Sequence, residues 1–336
     1  MVTIYDIATK TGFTAPTVSK ALNGTGKLSE ATRSKILEVA GQMGYKPSMV
    51  ARTLTTKKSN LIGVIYDDTK MNTGFDHPMF GGVLTRFRSQ MEKAGYDIVF
   101  LSRTFQMSYL NHVRLRSVDG VAAINPDTED NKCIAELEQE HIPCISTNDY
   151  IPGICTVVTD NEQAGYKAAE YLVNHGHRRI AFLAGPFSET SPAAKERFQG
   201  FKKYLDEQGI GFDGHLLEEC PLWNMASGYQ GFMRLWERTE DFTAVFAAND
   251  TLAFGIMQFA EERGIQIPQR LSLLGFDDDR VASFCRPRLT TFRQDRDTIA
   301  DLAAEILLSL ITGIPAPPIV RVPARLIERE SVRRYP

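Results

Sequence analysis

Apolar positions recur at helical spacing over the first forty-five residues. Ile4, Ile7 and Ala8 share one face, Thr3 precedes them as a cap, and Asp6 follows three residues on, near the capping-box position. This predicts a helix over IYDIATKT, broken by Gly12-Phe13. A second helix is predicted over APTVSKAL, with Thr14 as cap, Val18, Ala21 and Leu22 facing inward, and Asn23-Gly24 as the stop. Pro16 is tolerated near the start because first-turn N–H groups have no intrahelical partner. Ser29 opens a third helix as a simple cap with Thr32 at its third position. Ile36, Leu37, Val39, Ala40 and Met43 form its apolar stripe, and Gly44 ends it. Ser48 can cap a short further segment, too short to be helical alone in water, in which Leu54 is exposed unless it enters a groove. The plain alternative for that segment is a linker.

From Leu61 the pattern changes to continuous apolar runs between helical stretches. LIGVIY, YDIVFL, GVAAIN and PCIST read as strands, with helices over 79–94 and CIAELEQE. A second set starts near Asn161. Its helices are NEQAGYKAAEYLVNHG, KERFQGFKKYLDEQG and DTLAFGIMQFAEERG, and its strands RIAFLAG, FTAVFAA and RLSLLGF; a last helix covers about 295–312. Unalternating apolar strands between helices indicate parallel sheets covered on both faces. The expected fold is an all-α helix-turn-helix head on an α/β body of two doubly wound parallel-sheet subdomains. Ligands of such sheets bind beyond the carboxyl ends of the strands, so two facing sheets can line one cleft.

Charge sharpens this division. The first sixty residues hold nine Lys and Arg against Asp6, Glu30 and Glu38, a net +6. The whole chain is −3, which leaves −9 on the rest. A basic head on an acidic body points to a nucleic-acid contact at one end. No apolar run spans a bilayer and no secretory leader is evident, so a cytoplasmic protein with no membrane partner is expected. The five cysteines include no C-x-x-C pair, and neither a cofactor nor a metal site is expected. His175 and His177 form an H-x-H pair without a third ligand and read as a solvated turn. No G-x-G-x-x-G, P-loop or G-x-S-x-G appears, which disfavours a dinucleotide enzyme, an NTPase or an α/β-hydrolase; no enzyme is expected.

In a helix-turn-helix the second helix enters the major groove. Lys20 can donate to guanine O6/N7, Thr17 and Ser19 can reach bases or phosphate, and Ala15 and Pro16 offer apolar contact to a thymine methyl. A solvated three-helix bundle without a DNA role remains the alternative from pattern alone. In the body, Arg197 is a five-donor fork, Asn249, Asp250 and Asp277 follow strands, and Trp223 can stack on a sugar ring. The plain alternatives are that Asp250 caps a helix, Arg197 pairs with a carboxylate and Trp223 is core. In the run Asp277-Asp278-Asp279 the first acid is expected to face a ligand and the other two solvent. Arg296 adds a cation near the cleft that could meet an acidic effector; an ordinary surface arginine is the alternative.

The runs TIYDIATKTGFTAPTVSKALNG and GYKPSMVARTLTTKKSNLIGVI resemble the lactose-repressor/galactose-repressor (LacI/GalR) family of bacterial regulators, over essentially all 336 residues. The resemblance implies a DNA-binding domain at 1–47, a hinge helix and linker at 48–60, and an effector-binding and dimerisation body at 61–336 of periplasmic-binding-protein type. Its subdomains would be about 61–160 with 290–320, and about 161–289 with 321–330. Crossings would fall near 159–162 and 289–295. Implied DNA-contact residues are Thr14, Ala15, Pro16, Thr17, Ser19, Lys20 and Asn23, with Leu54 in the minor groove and Lys57 on phosphate. Implied effector contacts are Phe80, Asn148, Arg197, Trp223, Asn249, Asp277 and Gln294. Asn148 stands where some sugar-binding members carry an acid, and Ala193 lacks a hydroxyl that some have. The implied function is a transcriptional regulator, most simply a repressor, acting as a homodimer on near-palindromic operator DNA under control of a small molecule, a sugar or sugar derivative. No leucine heptad tail follows the body, which favours a dimer over a tail-linked tetramer. The rival is a sugar-binding transport-type protein without a DNA role.

Overall fold

The computed structural model describes residues 2–45, 58–67 and 73–336. They fall into two compact units, an amino-terminal head and a body that begins at Leu61.

In the head, α1 (Ile4–Thr11) starts on a full capping box. The Thr3 hydroxyl accepts from the Asp6 amide, and the Asp6 carboxylate accepts from the Thr3 amide at 2.8 Å. Those bonds hold the Asp6 carboxyl below its ordinary pKa. Gly12 closes the helix at φ 76°, and its amide donates to the Ala8 carbonyl. Helix α2 (Ala15–Leu22) begins after Thr14, but the expected side-chain cap is not formed: the Thr14 hydroxyl lies 2.9 Å from that of Thr17. Helix α3 (Glu30–Gln42) is capped by Ser29, which accepts from the Thr32 amide at 3.2 Å. Ile7, Val18, Ala21, Ile36 and Ala40 form the core. Leu37, expected in the stripe, is exposed. Its position lies a hundred degrees round the helix from Ile36, which with Ala40 sets the inner face. The expected hinge at 48–57, with Leu54 and Lys57, lies outside the described residues.

The body holds two six-stranded sheets. The first contains β1 (Leu61–Tyr66), β2 (Asp97–Phe100), β3 (Gly120–Ile124), β4 (Cys144–Thr147), β5 (Cys155–Thr159) and, far along the chain, β11 (Ile319–Val322). Its order is β11-β5-β4-β3-β1-β2 and every pairing is parallel. The second contains β6 (Ile180–Ala184), β7 (Leu217–Glu219), β8 (Ala244–Ala247), β9 (Ser272–Asp277), β10 (Thr290–Arg293) and β12 (Arg325–Ile327). Its order is β12-β10-β9-β8-β6-β7, parallel except between β10 and β12. Successive residues of β3, β6 and β8 are all buried. Successive side chains point to opposite faces, so both faces of these strands are covered.

Helices α4 (Phe80–Lys93) and α11 (Arg296–Ile311) cover the first sheet. Val83, Phe87, Met91, Ala300, Ala303 and Leu307 cluster with Val64, Ala122 and Ile145. Two shorter helices, α5 (Tyr109–Arg116) and α6 (Asn131–Gln139), belong to the same part of the chain. Four helices pack on the second sheet in two pairs: α7 (Asn161–Asn174) with α8 (Ala193–Glu207), and α9 (Met225–Arg238) with α10 (Asp250–Arg263). In the first pair Gly165 faces the backbone of Arg197, and Gly200 faces the carbonyl of Glu162. A Cβ at either glycine would overlap the opposing backbone, so the missing side chains permit the close approach and fix where Arg197 starts.

The chain passes between the sheets at residue 160, at 294–295 and at 323–324. The last two passages correct the expected subdomain limits. Residues 290–293, assigned from sequence to the first subdomain, pair with Leu274–Asp277 of the second sheet. Arg321 and Val322, assigned to the second, pair with Val158 and Thr159 of the first. In each case the ladder of backbone bonds carries the strand to its end before the chain turns.

Candidate functional site

The carboxyl ends of both sheets face one cleft of about 730 Å³, open mouth included. From the first sheet come Asn125 after β3, Thr147 and Asn148 at the end of β4, and Thr159 at the end of β5. From the second come Asn249 after β8 and Asp277 at the end of β9. The seven effector contacts implied by the family resemblance, Phe80, Asn148, Arg197, Trp223, Asn249, Asp277 and Gln294, all line this cleft.

Arg197, the fifth residue of α8, is only 4% exposed. No carboxylate pairs with it among the described residues. Its Nε donates to Asn161 Oδ1 at 2.9 Å and its Nη1 to the Ala248 carbonyl at 2.5 Å. The guanidinium lies 3.6 Å from the centroid of the Phe276 ring. Burial pulls its pKa down to about 10 against the opposing effect of Asp277, so the group stays charged near neutrality. Nη2 has no hydrogen-bond partner among the described residues, and a fixed guanidinium with an uncommitted nitrogen can donate to a ligand oxygen.

Asp277 has a φ of 119°. Burial raises its carboxyl to about 6, opposed by Arg197 and by a hydrogen bond from Gln294. Gln294 lies on the passage between the sheets. Its Nε2 donates to Asp277 Oδ1 at 2.6 Å, and its Oε1 accepts from the Thr159 hydroxyl. One amide therefore joins the end of β9 to the end of β5 at the cleft floor.

Trp223 lies against Gly185, where a Cβ would overlap the indole. Asn249 fixes this wall. Its Oδ1 accepts from the Leu252 amide at 2.8 Å, capping α10, and its Nδ2 donates to the Trp223 carbonyl at 3.2 Å. Asn249 is thus largely committed to positioning, with one amide hydrogen left. Phe80 opens α4, whose first amides, of Met79 and Phe80, donate to His77 Nδ1. Asn148 Nδ2 donates to Asp149 at 3.0 Å and, across the cleft, to Ser191 Oγ at 3.2 Å.

Sequence reasoning missed His77, Asn125, Thr147, Asn161 and Ser191 in the lining. Asn161 was detectable as the polar residue opening a helix directly after a strand. Thr147 was not, because it reads as part of an apolar strand; its buried hydroxyl has no hydrogen-bond partner among the described residues. Other expectations need correction. Asp250 does not cap α10. It is fully buried, accepts from the Thr291 hydroxyl at 2.6 Å and the Asp279 amide at 2.7 Å, and has a pKa well above normal through burial. Asp278 is not solvated, since Arg293 and Arg329 pair with it at 2.6 and 2.5 Å. His177 is buried at 1% exposure, because the chain's last residues cover the turn: its Nε2 meets the Arg333 carbonyl and its ring packs near Tyr335. Arg296 does not line the cleft; its Nη1 donates to the Pro78 carbonyl at 3.4 Å. Among the described residues no His, Cys, Asp and Glu group could hold a metal, and no helix is long and apolar enough to cross a membrane.

In the head, Thr14, Pro16 and Lys20 are exposed and Ala15, Thr17, Ser19 and Asn23 partly so. Val18 and Ala21 are buried on the opposite side. The Lys20 stem lies along Gly26, and the Asn23 amide donates to Ser19 Oγ at 3.3 Å. Lys35 lies over the Phe13 ring at 5.6 Å. The first turn of α2 thus presents short polar and apolar groups beside a cation, which suits base edges flanked by phosphate.

A capped helix-turn-helix and a two-lobed body with a polar cleft define the class of ligand-responsive DNA-binding regulators. Residues 3–48 match the family described as "Bacterial regulatory proteins, lacI family", and residues 169–332 match the "Periplasmic binding protein-like domain". The HTH-type transcriptional regulator DegA of Bacillus subtilis (strain 168) is 32% identical over 311 residues, covering 90% of this chain and 88% of DegA. Among solved structures, the Lac repressor dimer bound to operator and the anti-inducer ONPF superposes with a TM-score of 0.81 at 27% identity, over 99% of each chain. The complex of the transcriptional regulator CelR with cellobiose gives 0.71 at 25% identity, over 98% of this chain and 100% of that one. The chain belongs to the LacI family of bacterial transcriptional regulators.

Proposed function

We propose that this regulator is a cytoplasmic repressor, without catalytic activity, that holds near-palindromic operator DNA as a homodimer and responds to a neutral polyol, a sugar or sugar derivative, bound in the cleft. The observation that carries this is the convergence of Phe80, Asn148, Arg197, Trp223, Asn249, Asp277 and Gln294, scattered through two hundred residues, on one cleft between the two sheets. The lining holds one fixed guanidinium and one carboxylate, with the His77 imidazole, amides, hydroxyls and the rings of Phe80 and Trp223. That set suits hydroxyl groups that both donate and accept, and among the described residues Arg197 is the one Lys or Arg in the lining. The cellobiose bound by CelR supports the same class.

Trp223 and Phe80 supply apolar ring faces, Arg197 donates, Asp277 accepts, and Asn249 holds the tryptophan wall. In the head, Thr14, Ala15, Pro16, Thr17, Ser19, Lys20 and Asn23 meet the operator, with Leu54 and Lys57 of the hinge. An effector acts only through its different affinity for the DNA-binding and DNA-releasing states.

Thermal unfolding of the full-length protein with cellobiose, D-glucose, ribose, glucose 6-phosphate and hypoxanthine tests the effector class. A neutral sugar at a hundredfold its Kd stabilises by about 2.7 kcal/mol, and the melting temperature rises by several degrees. A shift with only the phosphate ester or the nucleobase would refute the neutral-polyol assignment.

A further inference from the structure

Glu196 neighbours Arg197 on α8, yet it points out of the cleft toward the other lobe. Its carboxylate is only 12% exposed and takes three hydrogen bonds from the first lobe. Arg321 on β11 donates to it through Nη1 and Nη2, both at 2.9 Å. The hydroxyl of Tyr150, just beyond β4, donates to its Oε1 at 2.8 Å and also accepts from Arg321 Nη2 at 2.9 Å. Next to this cluster the Tyr150 amide donates to the Thr190 carbonyl at 2.7 Å, a backbone bond from lobe to lobe. Burial and the adjoining carboxylate raise the Tyr150 pKa, and the carboxylate raises that of Arg321, so each group keeps the protonation state that makes its bond.

None of these three side chains lines the cleft. A ligand therefore does not compete with them, unlike the Asn148–Ser191 contact, which lies in the lining. Gln294 also joins the lobes, but it sits on the connecting chain, where the lobes stay adjacent whether open or closed. A bidentate, partly buried arginine–carboxylate pair with a tyrosine completing its shell is a strong, directional contact.

We infer that Glu196, Arg321 and Tyr150 form a clasp that holds the two lobes closed without any effector. The clasp sets the resting population of the closed form, and an effector that prefers this form binds with an apparent affinity scaled by that population. This extends the proposed function, but its test needs no effector, so failure of the clasp and failure of the effector assignment are separable.

The test is hydrogen exchange of the full-length, effector-free protein, read at the Tyr150 amide, whose only described partner lies across the cleft. The wild type protects this amide, and Glu196→Gln and Arg321→Gln each speed its exchange about tenfold. The double variant exchanges no faster than either single one, because the two residues make one contact. Amides of β6 and β8 exchange as in the wild type, which separates opening from general destabilisation. Unchanged exchange at Tyr150 in both single variants, or effects that simply add in the double variant, overturns the clasp. So does loss of protection shared equally by β6 and β8.

Discussion

Arg197 shows how a single side chain acquires its role. Its stem is buried beside the α7–α8 glycine contact, its Nε and Nη1 are spent on Asn161 and Ala248, and Phe276 covers one face. Little conformational entropy remains to be lost when a ligand arrives. Arg197→Met keeps the stem and removes the fork. It is expected to weaken effector binding at least tenfold by calorimetry, while operator affinity without effector stays within twofold. Asp277 makes the complementary prediction. Its carboxyl titrates at about 6 because burial disfavours the charge. As pH falls from 7.5 to 5, the carboxylate gains a proton and loses acceptor capacity, so effector affinity should decline through pH 6; Asp277→Asn should abolish that decline. Arg197, Asp277 and Trp223 were candidates by residue type, but the residues alone left each with a plain structural alternative, and it was the family resemblance that implied a place in the cleft. Thr147 and Ser191 were not candidates, since hydroxyl side chains there carry no local signal. Asp278 and Asp250 were misread because their partners, Arg293, Arg329 and Thr291, are distant or unremarkable in sequence.

At the scale of elements, the apolar pattern located seven of the strands and most long helices, but it missed the buried strands β5 and β10, which are short and carry threonines. It also missed β7, which is three residues long, and α5, which is only weakly amphipathic. Helix α9 carries its own signals, an Asn224 cap and a strongly amphipathic face, and was legible in principle. The α7–α8 contact yields a sharp test. Gly200→Ala forces a methyl into the Glu162 carbonyl; it should cost about 1–3 kcal/mol in urea unfolding and weaken effector binding by shifting α8. The tail over His177 yields another. Its imidazole has a folded pKa of about 4 against an ordinary 6.5, because burial disfavours the charged ring. Below pH 6.5 the unfolded chain binds a proton that the folded chain does not, so stability falls as pH drops from 6.5 to 4. At 1.36 kcal/mol per pKa unit, reduced by solvent screening, the loss is on the order of 1–2 kcal/mol. Calorimetric melting across that range should show it, and His177→Gln should flatten it.

For the whole molecule, the contrast between a basic amino-terminal segment and an acidic body confines DNA contact to one end and makes it salt-dependent. Operator affinity is expected to fall by orders of magnitude between 50 and 200 mM salt in a filter-binding titration, and a flat response would contradict phosphate contact. The division into head and body was readable from the change in hydrophobic period near Leu61. The limits of the two lobes were less so, because strands β10 and β11 carry on to the end of their ladders before the chain crosses.

Strand β11 also bears on how the protein is made. It completes the first lobe of the body, yet it follows all of β6 to β10 of the second lobe along the chain. Until residues 319–322 leave the ribosome, β5 is a bare sheet margin with unpaired backbone groups, while most of the later lobe is already assembled. The lobe begun before its neighbour is therefore finished after most of that neighbour, and a nascent chain stalled short of residue 319 offers that margin to any neighbouring polypeptide.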